Sequence, residues 1–141
     1  MKFVWERSYT GSQLRSGSAI GALGTGLMVA WEFASYTAGF PRPLDWTVNE
    51  ALLGSVPAAF ALHVGFGVVA GVVYEILRPA VWSRWAAAFA FSAILQLLLL
   101  VVAFLAVEVS GAGVAGTGVA HLFYAVGLAV GSNVGAASQQ E

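Results

Sequence analysis

The chain has 141 residues, of which 59% are hydrophobic and 9% charged, with a net charge of −1 and a mean hydropathy of +0.81. A soluble domain carries roughly a quarter of its residues charged, so this composition excludes an ordinary water-covered surface and makes the lipid bilayer part of the solvent. There is no cysteine, which excludes disulfides, iron–sulfur clusters and thiolate metal sites. No basic patch, zinc-finger spacing or aromatic-basic stripe points to nucleic acid.

Lys2, Arg7 and Arg15 precede the first apolar run, Gly17–Tyr36. About 20 residues exceed the roughly 7–15 of a secretory signal core, and no A-x-A site follows. The run therefore predicts a retained first transmembrane helix. The connection Thr37–Ser55 holds PRP followed by DWTVNEALLG. Thr47 with Glu50 three residues on has the spacing of a capping box. Trp46, Val48, Leu52 and Leu53 either lie on the membrane surface as a short interfacial helix or belong to a plain loop with its tryptophan at headgroup level. Pro57 suits the first turn of the second span, Val56–Leu77, where its missing N–H is harmless. Trp85–Val107 is the plainest span, with Gln96 its single strongly polar side chain. Gly113–Val134 is the fourth, and its glycine-rich opening leaves room for a start several residues later. Each run meets the about 20 apolar residues that cross about 30 Å of hydrocarbon. The expectation is an all-α, polytopic integral membrane four-helix bundle forming a single transmembrane domain.

Basic residues set the orientation. Lys2, Arg7, Arg15, Arg78 and Arg84 fall on one side of this topology and Arg42 alone on the other. The positive-inside rule then places the N-terminus, the Arg78–Arg84 turn and the C-terminus in the cytoplasm, with the chain in the cell (inner) membrane.

Glycines recur at a spacing of four: Gly17 and Gly21, Gly67 and Gly71, Gly127 and Gly131. Such faces let helix backbones approach closely, either inside one bundle or between subunits of a homo-oligomer or membrane complex. Ionisable residues inside spans carry more information, because each costs at least about 2.5–3.5 kcal/mol to place there. Glu32, His63 and His121 fall roughly 6–12 Å below the outer boundary at 1.5 Å per residue. At one level they can share protons and hydrogen bonds. Four readings stay open: a structural polar layer, a proton-handling or small-solute binding site, a haem b held by His63 and His121 as in the anchor subunit of a redox complex, and a His–His–Glu metal site. Glu75 sits three residues before Arg78 and is accounted for by a local ion pair. Tyr74, at the inner end of the stripe His63, Gly67, Gly71, Tyr74 and Arg78, reads as an interfacial anchor. No nucleophile with a partnered base and no phosphate loop occurs, so the chain is not expected to be an enzyme.

LHVGFGVVAG in the second span and AHLFYAVGLAVG in the fourth share histidine, two residues, an aromatic, a small residue and valine, with Phe66 matching Tyr124 and Gly67 matching Ala125. They suggest two parallel helix-pair repeats. The run GALGTGLM (Gly21 to Met28), the pattern H-x-x-F-G-x-x-x-G-x-x-Y from His63 to Tyr74, and the closing H-x-x-Y at His121 resemble the YagU-like family of small membrane proteins. The resemblance implies a four-helix inner-membrane protein and supplies no mechanism. The function expected is a non-enzymatic membrane protein that assembles through its glycine faces and handles a proton or small solute at the Glu32–His63–His121 layer.

Overall fold

A computed structural model of the protein describes residues 11–78 and 83–137. Lys2 and Arg7, part of the charge asymmetry, and the last four residues of the C-terminal tail lie outside the described residues. Within them all regular structure is helical: α1 (Gly11–Thr37), α2 (Leu44–Leu53), α3 (Val56–Leu77), α4 (Arg84–Ala106) and α5 (Gly111–Ala137). Three helical segments are long and apolar enough to cross a membrane: Val56–Leu77, Arg84–Ala106 and Gly111–Ser132. Helix α1 is as long as α5, but serine and glycine dilute its hydropathy.

The expected boundaries match closely in α3 and α4 and fall short in α1 and α5. The glycine-rich opening of α5 is helical from Gly111, because Ser110 starts it: its hydroxyl accepts from Gly113 N–H at 3.1 Å and its carbonyl from Val114 N–H at 3.0 Å. Ser55 and Ser83 cap α3 and α4 in the same way, accepting from Ala58 and Ala86. Pro57 occupies the first turn of α3, as its missing N–H predicts. The expected capping box is absent. Helix α2 begins three residues before Thr47, whose hydroxyl instead donates to the Pro43 carbonyl, and Glu50 pairs with Arg42. The chain leaves α2 through Gly54 at φ 66°, a left-handed turn that favours glycine.

Helix α1 is the centre of the molecule, packed along both α3 and α5, with α4 packed against α5. The glycines explain why. A side chain on Gly21 would meet the Gly67 carbonyl oxygen at 2.7 Å, one on Gly17 would meet the Val72 Cα at 2.7 Å, and one on Gly71 would run into the backbone of Gly21. Gly24 and Gly127 make the equivalent approach between α1 and α5. All three glycine pairs singled out from the sequence therefore pack within the chain. Helix α4 meets α5 through Ala87, Ala88, Ser92 and Ala103, all buried, and the Ser92 hydroxyl donates to the His121 carbonyl at 2.6 Å.

Helices α3 and α4 stand apart, with almost no direct backbone approach. Tyr74 bridges them where α3 ends and α4 begins: its ring packs on Phe91 and its hydroxyl donates to the Arg84 carbonyl at 3.2 Å. Tyr74 is thus fully buried and is a tie between helices, a correction to the interfacial anchor expected from its position. At the other end α2 closes the gap. Leu44 and Val48 join Ala103 of α4 in a small core, and Leu44 N–H donates to Thr117 Oγ1 of α5 at 2.9 Å. Of the two readings of this connection, the helix is the one found, but Leu44 and Val48 seat it in the end of the bundle by one face, with Leu52 and Leu53 exposed on another.

Candidate intramembrane site

Glu32 and His63 come together as their shared depth predicts, and a third residue joins them. The ligating atoms of Glu32, Asp45 and His63 lie within 4.8 Å of one another, and all three side chains are buried. His63 Nδ1 is 2.9 Å from Asp45 Oδ2, and His63 Nε2 is 3.6 Å from Glu32 Oε2. Trp46 Nε1 donates to the same Glu32 oxygen at 2.8 Å. Glu32 Oε1, Asp45 Oδ1 and His63 Nε2 are buried without a hydrogen-bond partner. Burial pushes the Asp45 carboxyl up, and contact with His63 and its charge more than offset this, holding it below its ordinary value.

Three consecutive elements build this cluster. Glu32 projects from the C-terminal part of α1, where the helix has passed its glycine seam. Asp45 and Trp46 sit in the first turn of α2, and His63 lies two turns into α3. The fixed docking of α2 on α4 and α5 through Leu44 and Val48 turns Asp45 inward. Sequence reading missed Asp45 because an acid in a polar connection is ordinary. The signal that could have found it is the pair Leu44 and Val48, four apart, which marks a buried helical face on which Asp45 also lies.

His121 does not belong to the cluster. Its Nδ1 lies 3.0 Å from the carbonyl of Thr117, one turn back on its own helix. It meets the site across a cavity of about 360 Å³ lined by Asp45, His63 and His121 together with Thr25 and Tyr124. Apart from Asn49 of α2 the remaining walls are apolar: Leu62 and Phe66 on α3 face Leu95, Leu98, Leu99 and Val102 on α4, under Val48 and Leu52 of α2. This is the space left where α3 and α4 diverge. The Glu32–His63–His121 layer read from the sequence is therefore a Glu32–Asp45–His63 cluster with His121 on the wall of an adjoining cavity.

Tyr124 secures the floor of that cavity, donating its hydroxyl to the Gly67 carbonyl at 2.7 Å. Its counterpart in the suggested repeat, Phe66, is 59% exposed, against 2% for Tyr124, so the matched positions occupy unlike surroundings. Glu75 and Arg78 form the expected local pair at 3.4 Å, away from the site. In comparisons with family models, curated proteins and solved structures, nothing matches this chain.

Proposed function

We propose that this is a four-span inner-membrane protein that binds a small, largely apolar solute in the cavity between α3 and α4. One observation carries the reading: α3 and α4 diverge over apolar faces, Leu62 and Phe66 on one side and leucines on the other, and the space between them meets polar side chains from α2, α3 and α5. A concave, mostly apolar pocket with a few convergent polar groups is the usual form of a small-molecule site. The outer parts of α3 and α4 carry Phe66, Leu97, Leu98 and Val101 exposed, so a solute dissolved in lipid reaches the cavity sideways, with no aqueous path needed. Support for α1 as the fourth span comes from its length, about 40 Å at 1.5 Å per residue, and from its packing along two apolar helices.

The test is a cavity-filling variant. Leu99→Trp places an indole in the space, and it should displace solute co-purifying with the wild type, read by mass spectrometry of the extracted protein. Equal solute content in both proteins would sink the reading. A reporter after Glu141 or between Arg78 and Arg84 should report the cytoplasm, and one near Asp45 or Gly111 the outside. A second reading, haem b between His63 and His121, draws on both imidazoles lining this one cavity. A Soret band in the purified protein would favour it, and a featureless visible spectrum would remove it.

A further inference from the structure

The cluster of Glu32, Asp45 and His63 has a chemistry of its own that solute binding does not explain. Two carboxylates share a buried site with one imidazole. The nearby cation Arg42 is engaged with Glu50, and Arg78 is engaged with Glu75. Unpaired buried charge is strongly disfavoured unless a counter-charge or ligand completes it.

One ligand atom from each of the three residues lies within 4.8 Å of the others, a spread that one shared ion can span. Separation of His63 Nε2 from Glu32 Oε2 by 3.6 Å is too long for a good hydrogen bond. Two ligands about 2.1 Å from a tetrahedral ion stand roughly 3.4 Å apart. Asp45 Oδ2 lies 2.9 Å from His63 Nδ1, an ion-pair contact without hydrogen-bond alignment. Trp46 Nε1 holds Glu32 through Oε2. Glu32 Oε1, both carboxylate oxygens of Asp45 and His63 Nε2 are buried without a hydrogen-bond partner, so each residue keeps a ligand atom free.

We infer that Glu32, Asp45 and His63 form a binding site for one divalent first-row transition ion, held inside the bundle at the junction of α1, α2 and α3. Two carboxylates and an imidazole suit zinc, manganese or ferrous iron and disfavour the soft ions that need thiolates. A charge of +2 against two carboxylates leaves the site neutral, which is what a low-dielectric surrounding demands. Asp45 and His63 also line the cavity, so a remaining coordination position opens there for water. Metal binding is independent of whether the cavity takes a solute.

The full chain, purified in detergent and stripped with EDTA, is titrated with Zn²⁺ and Mn²⁺ by calorimetry, with Mg²⁺ as a hard-ion control. Bound metal after dialysis is counted by elemental analysis. The wild type should bind one equivalent of Zn²⁺ or Mn²⁺ per chain, and each ion should raise its thermal midpoint. Glu32→Gln, close in shape to the native residue, should weaken binding at least about a hundredfold. Trp46→Phe, which removes only the group positioning Glu32, should weaken it about tenfold while stoichiometry stays at one, in the range of outer-shell changes. Glu75→Gln, remote from the cluster, should bind as the wild type does. His63→Gln gives a second route if Glu32→Gln does not fold, judged by its far-ultraviolet dichroism. No saturable binding, or binding that both cluster variants leave within about threefold of wild type, would overturn the site and mark any metal as adventitious.

Discussion

The two sides of α3 are built on opposite principles. Against α1 it presents Gly67 and Gly71, and the two backbones approach until a single added carbon would collide. Against α4 it presents Leu62 and Phe66 to leucines that do not reach it, and the interval becomes a cavity. In lipid there is little hydrophobic drive between helices, so they associate where small residues allow close packing or where polar groups bond. Bulky apolar residues are as well solvated by acyl chains as by one another. A leucine-rich face in this chain therefore marks where the bundle opens, and a glycine-rich face marks where it is closed. A soluble helical bundle would show the reverse pattern.

The sharpest break of that comparison is at the cluster, which stabilises the closed side only while its charges are matched. His63→Leu strands two buried carboxylates and should destabilise the protein by about 3–5 kcal/mol, read by thermal or denaturant unfolding in detergent. Adding Glu32→Gln and Asp45→Asn to that variant should recover part of the loss. A single-variant cost below about 1 kcal/mol would mean the three groups are not coupled.

Gly71→Leu probes the seam directly. The leucine would drive α1 from α3 and should cost about 1–3 kcal/mol or more, with earlier or broader size-exclusion elution as the bundle loosens. Wild-type stability there would show that the α1–α3 contact is not what holds the helices.

The open side should be nearly silent. Leu105 of α4 is 85% exposed, and Leu105→Ala should stay within about 0.5 kcal/mol of wild type. A larger loss would show that this face of α4 is covered by another protein surface and not by lipid.

Much of this contrast was written in the sequence, but not evenly. Glu32 and His63 were legible because an ionisable residue inside an apolar run has few reasons to be there. Helices α3 and α4 were legible from length and hydropathy alone. Asp45 was not, since its burial depends on how α2 docks, a tertiary event with only Leu44 and Val48 as a local trace. Equal depth also overstated the role of His121: depth fixes height along the bundle and leaves rotation about the helix axis free. Tyr74 was misread for the same reason, its height suiting an interface while its rotation places it between α3 and α4. The motif residues behind the YagU-like resemblance, Gly21, Gly67 and Gly71, are those of the α1–α3 seam. They encode how two helices touch, which is why the pattern carries a fold expectation and no activity.

The position of the cluster in the chain has a consequence for how the protein is made. Its three residues all fall within residues 32–63, on α1, α2 and the first turns of α3. A ribosome delivers them to the membrane before α4 and α5 exist. Ionisable groups that are each costly to bury alone are then present together, so that α1, α2 and α3 can pair them before α4 and α5 dock. Helix α5 arrives last and docks on α1 through Gly24 and Gly127, sealing a site whose chemistry was settled upstream.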